Sequence, residues 1–236
     1  AIIAVTQGDC SNNHALMDLY QYYYPNIPVY GFSYPSDRDP DALKTELDKL
    51  MNHLDCRSDS VLSEKNHCDR IRSFLYEITE LYGQKTNGPA KIIQQHMVSS
   101  TDFNGNRDIY IRQSRSLLRS LQESPAEPHR LSIGYMGVPT ILSDLFDYIE
   151  TAFPARVTSF EVENDFSMIP VIKDLTQQYL RFRYPYTINQ RLDWMNEEIR
   201  RKNLKGIIYY GQAFCHRQIY DILVHKGISV PVLSIE

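Results

Sequence analysis

The sequence predicts an α/β fold built on short parallel strands, and three observations predict it. Runs rich in Ile, Val and Tyr recur at residues 2–5, 27–32, 131–135, 157–162, 206–210 and 230–235. In the first and last parts of the chain, segments of helical period separate these runs, as βαβ units with crossover helices require. Between those parts, residues 40–122 show helical period alone.

Bulk properties exclude several function classes. A chain of 236 residues, 42% hydrophobic and 23% charged, has the composition of an ordinary globular protein with room for one large domain or two small ones. The net charge of −4 and the absence of a basic cluster argue against nucleic acid as a partner. Arg200-Arg201-Lys202 reads instead as a helix C-terminus, where cations suit the dipole. No apolar run approaches the roughly 18 residues that span a bilayer, and no signal peptide is visible, so the expectation is a cytoplasmic protein without membrane contact. The four cysteines, Cys10, Cys56, Cys68 and Cys215, are too few for a disulfide scaffold and point to reduced thiols or a metal site. The chain opens without Met inside one strand and closes inside another, and the expectation is a fragment of a longer protein lacking part of its first lobe.

The elements follow in order. After the strand 2–5, a helix over about 12–24 is expected to start at Ser11 or Asn12 as N-cap, to carry Leu16, Leu19 and Tyr23 on one stripe, and to stop at Pro25. The strand 27–32 then runs into a turn-rich segment ending at Pro40. Helices are expected over 41–54, 60–82, 89–98 and 108–121, and the segment Glu123-Ser-Pro-Ala-Glu-Pro128 reads as a linker. Beyond it, strands 131–135, 157–162, 206–210 and 230–235 alternate with helices over about 140–151, 170–179, 188–202 and 216–226. The expected organisation is a partial first α/β lobe over 1–38, a helical insert and linker over 39–128, and a second α/β lobe with a parallel four-stranded sheet over 129–236. The lobes are expected to be Rossmann-like.

Two cysteines occupy equivalent places. Cys215 follows the buried-type strand Gly206-Ile-Ile-Tyr-Tyr210 and precedes a helix, and Cys10 follows strand and turn in Val5-Thr-Gln-Gly-Asp-Cys10. Open α/β sheets present their chemistry at the carboxyl ends of strands, and a helix N-terminus favours the thiolate, the form that binds metals. The alternative, two small buried residues, stays open. Cys56 and Cys68, at Cys-x11-Cys spacing, match no ligand pattern. Gly134-Tyr-Met-Gly137-Val-Pro139 reads either as a turn that lets a ligand approach the backbone or as an ordinary βα turn. Phe160-Glu161-Val-Glu163-Asn164-Asp165 reads as solvated acids or as a crevice lined by Asn164 and Asp165. Tyr179-Leu-Arg181-Phe-Arg183-Tyr184-Pro-Tyr186 reads as a grip for an anionic ligand or as a packed loop.

The two cysteine contexts, with Leu204-Lys-Gly-Ile-Ile-Tyr-Tyr, Phe214-Cys215 and the closing run Lys226-Gly-Ile-Ser-Val-Pro-Val-Leu-Ser-Ile-Glu236, resemble the 2-hydroxyacyl-CoA dehydratase and benzoyl-CoA reductase subunit family over nearly the whole chain. The resemblance implies two α/β lobes around a [4Fe-4S] cluster with Cys10 and Cys215 as ligands, a further ligand lying upstream of the segment that matches Ala1. It implies one-electron reduction of a CoA thioester and loss of the 2-hydroxyl from an (R)-2-hydroxyacyl-CoA. It also implies an acyl-CoA substrate, an ATP-dependent iron–sulfur activator and a homologous second subunit as partners. Gly134, Gly137, Arg181 and Arg183 are the residues expected to contact substrate. The turn where relatives often carry a cysteine reads Gly137-Val138-Pro139 here and is no ligand. A related reductase, a non-catalytic scaffold subunit, and a thiol enzyme using Cys215 with His216 or His14 as base remain as alternatives.

Overall fold

Helices on both faces of one parallel sheet, and a smaller parallel pair elsewhere, organise the chain. The computed structural model describes residues 1–10, 12–85, 88–125 and 130–236. The expected N-cap Ser11 and part of the expected linker, 126–128, lie outside the described residues. The architecture is mixed α/β, as the sequence predicts. The chain divides into two units: residues 1–68 with 172–187, and residues 69–171 with 188–236.

In the first unit, β1 (Ile2–Gln7) pairs in parallel with β2 (Val29–Ser33), Ile2 opposite Val29 and Val5 opposite Phe32. The crossover is α1 (Asn12–Tyr23), which buries no side chain fully. Leu16, Leu19 and Tyr23, the expected inward stripe, are exposed. Two strands offer too little surface to cover a whole helix stripe, and α1 turns Asn13 and Met17 inward instead. The next helix, α2 (Pro40–His53), begins where Asp39 accepts hydrogen bonds from the N–H groups of Asp41 and Ala42, with Pro40 fitting the first turn. It buries Leu43 and Leu47 against Phe32, Tyr34, Tyr186 and Leu180, the last from α8 (Leu175–Leu180).

In the second unit the sheet order is β4-β3-β5-β6, all parallel: β3 (Leu131–Gly137), β4 (Ala155–Phe160), β5 (Ile207–Tyr210) and β6 (Val232–Ile235). The pleat sends alternate side chains to opposite faces. Tyr135, Ile208 and Tyr210 join one core with Ile78 and Tyr82 of α3 (Ser58–Lys85), Ile93 and Met97 of α4 (Ala90–Val98), Leu118 and Leu121 of α5 (Arg107–Glu123), and Phe146 and Ile149 of α6 (Leu145–Ala152). Met136, Ile207 and Tyr209 point the other way, to Met195 and Ile199 of α9 (Ile188–Lys202) and Val224 of α10 (Asp221–Gly227). The basic C-terminus of α9 is used: Lys202 and Arg201 both pair with Glu198. Burial acts to raise the Glu198 carboxyl, but these two cations outweigh it and hold the group below its ordinary value.

Several boundaries differ from the sequence reading. The strand expected over 157–162 ends at Phe160, and Glu161 starts a short helix, α7 (Glu161–Phe166). The helix expected over 140–151 begins only at Leu145, and that expected over 170–179 begins at Leu175, where Asp174 caps it through the Gln177 N–H. The segment after Cys215 is first a 3-10 turn, His216–Tyr220, and only then α10.

Candidate functional site

The carboxyl ends of β5 and β6 carry the candidate site of the second unit. Once β5 ends at Tyr210, the Gly211 N–H still donates to the Ile235 carbonyl at 3.0 Å, so the chain leaves the sheet only after this residue. Gln212 to Phe214 then turn, the Cys215 N–H donating to the Gln212 carbonyl at 2.7 Å. Cys215 stands at the N-cap of the 3-10 turn with extended backbone (φ −86°, ψ 124°). It is half-buried and lines an open cavity of about 490 Å³ with Tyr209, Gly211, Asp221, Ser234 and Glu236.

The cavity wall is mixed, with Ile219, Ile222 and Ile235 beside the acids Asp221 and Glu236. The Ser234 hydroxyl donates to Asp221 and accepts from His225 Nε2 at 2.9 Å, tying β6 to α10. Gln218 donates to the Glu236 carboxylate. Burial raises the Tyr209 phenol above its ordinary value, an effect that Arg191 partly offsets. Tyr209 therefore stays a neutral hydroxyl on this wall.

Cys10 has an equivalent local setting in the first unit. Gly8, at φ +96°, turns the chain after β1, and a Cβ there would stand 2.7 Å from Pro185 Cβ, so the Gly-Asp-Cys context has a steric reason. Cys10 is half-buried, and its carbonyl accepts from the Asn13 N–H at 3.1 Å. His14 Nε2 is bonded to the Thr6 carbonyl at 2.9 Å, and among the described residues no hydrogen bond joins His216 to Cys215. Cys56 is exposed and Cys68 half-buried, and among the described residues neither belongs to a cluster of metal-ligating side chains.

The turn at the end of β3 is held by protein groups. The Gly137 N–H donates to Glu161 Oε2 at 3.1 Å. At φ +123°, a Cβ on Gly137 would meet the Tyr210 carbonyl oxygen at 2.2 Å. Gly134 lies within the sheet, where a Cβ would press on Ile207 Cδ1 at 2.6 Å. Both glycines thus have packing reasons to be glycine. Arg181 is exposed at the C-cap of α8, and Arg183 is half-buried beside aromatic residues. Those aromatics are core: Tyr179, Phe182 and Tyr186 surround Tyr34 with ring centroids 5.8–6.3 Å away. The guanidinium of Arg38, which the sequence reading did not single out, lies 5.2 Å from the Tyr186 ring centroid.

The sequence reading also missed a buried network. Glu161, Glu163 and Asp165 are buried rather than solvated, and only Asn164 of that run is half-exposed. Glu161 forms a two-point ion pair with Arg191 of α9, Nη2 to Oε2 being 2.8 Å, with both side chains at most 1% exposed. The signal was present: an Arg on the apolar stripe of α9, between Ile188 and Met195, needs a buried partner.

Thiols are the donor type that iron–sulfur clusters use. The donor number does not fit: among the described residues no three His, Cys, Asp or Glu side chains gather as a metal site, and Cys10 and Cys215 belong to different units. No reaction step is therefore derived through a cluster. No helix is long and apolar enough to cross a membrane among the described residues.

A helix-covered parallel sheet with a thiol and an open cavity at its carboxyl edge defines an α/β protein whose candidate site lies at strand ends. The chain belongs to the 2-hydroxyglutaryl-CoA dehydratase, D-component family, whose model matches residues 1–236. No curated protein matches the chain.

Proposed function

We propose that the chain is a component of a 2-hydroxyacyl-CoA dehydratase, which removes water from an (R)-2-hydroxyacyl-CoA thioester to give the 2-enoyl-CoA. Family membership over residues 1–236 carries this reading, and the placement of Cys215 on a strand-end cavity supports it. The reaction poses a specific problem. The hydroxyl leaves from the carbon next to the thioester carbonyl, whereas the proton leaves from the carbon beyond, which the carbonyl does not acidify directly. One-electron entry into the thioester removes that obstacle. Because loss of water is redox-neutral overall, the electron is returned at the end of each turnover.

In this reading an ATP-dependent activator delivers the electron, and a second, homologous subunit completes the assembly. Cys10 and Cys215 are the thiols this reading singles out, each placed after a strand within its own unit, and a thiol is the donor type an iron–sulfur cluster uses. What the chain's own residues do is more local. Asp221 and Glu236 on the cavity wall disfavour an anionic ligand there. The CoA phosphates therefore belong elsewhere, and Arg181 and Arg183 are the proposed contacts for them.

The test is anaerobic. The chain, assembled with activator and second subunit, is assayed for enoyl-CoA formation, with iron and sulfide measured in parallel. Cys215→Ser is expected to lose bound iron and at least about 100-fold in turnover, exceeding the usual effect of changing a residue that only supports a ligand. Exposed Cys56→Ser is expected to change neither. Full activity in Cys215→Ser would overturn the assignment, and full iron without turnover would favour the scaffold alternative.

A further inference from the structure

The acidic run that opens α7 is packed between α4 and β3, and Glu163 is its most enclosed member. Its side chain is fully buried. Oε1 accepts from Gln94 Nε2 of α4 at 2.9 Å. Oε2 has no hydrogen-bond partner among the described residues. A buried carboxylate with one oxygen unsatisfied is costly, whereas a neutral carboxyl is far less so.

The groups facing it do not compensate a charge. On its own helix the neighbours are the acids Glu161 and Asp165, and on β3 it is the Tyr135 phenol. The cation of α9 that reaches α7, Arg191, is engaged in two bonds to Glu161. On α4, Lys91 pairs with Asp147 at 2.9 Å and His96 bonds the Ser114 hydroxyl at 2.9 Å. Nearby, Ser167 Oγ donates to the Glu163 carbonyl at 3.0 Å, and the Ser100 hydroxyl donates to the Met97 carbonyl of α4 at 2.6 Å.

We propose that Glu163 is a proton-dependent latch: its neutral carboxyl keeps α7 docked on α4 and β3, and loss of the proton raises the fraction of time that α7 spends undocked. The latch bears on the sheet's carboxyl edge, because Glu161 in the first turn of α7 holds the Gly137 N–H at the end of β3.

Burial is the largest cause raising this carboxyl from 4.5 to about 7, and the Gln94 bond opposes it. The neutral form is thus favoured in the docked state. Its stabilising effect is complete below about 4.5, declines as pH rises, and is gone above about 7. Undocking should grow about tenfold per pH unit inside that window and level off above it.

The experiment is hydrogen exchange of the α4 and α7 amides in the full chain between pH 5 and 8.5. Glu163→Gln serves as the reference that cancels the intrinsic pH dependence of exchange. The expected result is an excess opening in the wild type that rises to a plateau near pH 7 and is absent in Glu163→Gln. Carbon-13 titration of the glutamate carboxyls supplies a second reading that needs no variant to fold: one carboxyl should titrate near 7, and higher than in the wild type in Gln94→Leu, which lacks the opposing bond. Parallel exchange profiles in the two proteins, or all glutamates titrating between about 4 and 5, would overturn the latch.

Discussion

The second unit covers both faces of a four-stranded sheet, whereas the first has only a parallel pair of strands, with α2 packed on Phe32 of β2 and α1 lying on the pair without fully burying a side chain. Helix α9 buries Ile188, Arg191, Met195, Glu198 and Ile199, while α1 fully buries none of its side chains. Helix composition does not account for the difference, since α1 carries Leu16, Leu19, Tyr20 and Tyr23. What differs is the surface offered: four strands present a full face of alternating side chains, and two present a strip. A helix obtains most of its stability from tertiary packing rather than from propensity. The second unit can therefore enclose ionised groups such as Arg191 and Glu161, which demand complete partnering, and the first unit's β1–β2–α1 layer holds no counterpart among the described residues.

The largest effect that would test this contrast is at Gly137. Gly137→Ala forces a Cβ against the Tyr210 carbonyl in a left-handed backbone, and the cost should exceed about 4 kcal/mol, enough to unfold the second unit. Urea melts followed by near-UV dichroism read this, and an unchanged midpoint would show that the β3–β5 edge yields more easily than its geometry implies.

The buried pair comes next. Arg191→Met alone strands the Glu161 charge and should cost about 3–5 kcal/mol, while the double change Arg191→Met with Glu161→Leu should recover most of that loss. A double-mutant cycle with additive losses would mean that the two groups are solvated rather than mutually dependent.

The comparison itself is sharpened by a matched truncation. Met195→Ala in the second unit should cost about 2–5 kcal/mol. Leu19→Ala in α1, where the side chain is 51% exposed, should stay within about 0.5 kcal/mol. Equal losses would mean that the exposed face of α1 is covered in solution.

Sequence pattern alone determined the α/β class, the order along the chain of the six strands among the described residues, and the place of Cys10 and Cys215 after β1 and β5. These follow from local physics: strand-forming runs, helical period, and punctuation such as Pro25 and Asp39-Pro40. The family was also legible, because Phe214-Cys215 and the closing strand are contiguous in sequence. Helix starts at Leu145 and Leu175 were not, because the residues before them satisfy their polar groups in turns that period analysis cannot see.

Only the tertiary structure decided what the polar residues do. Glu161 and Glu163 read as surface acids until β4 proves to end at Phe160, which turns them into the protein. Gly134 and Gly137 read either as a ligand turn or as an ordinary βα turn, and β5 beside β3 supplies a packing reason for both. The aromatics of 179–186 read either as a binding loop or as a packed one, and Tyr34 among them shows how they pack. Each of these roles depends on a neighbour 20 or more residues away in sequence, and the burial that neighbour imposes is a property of packing that no local pattern encodes.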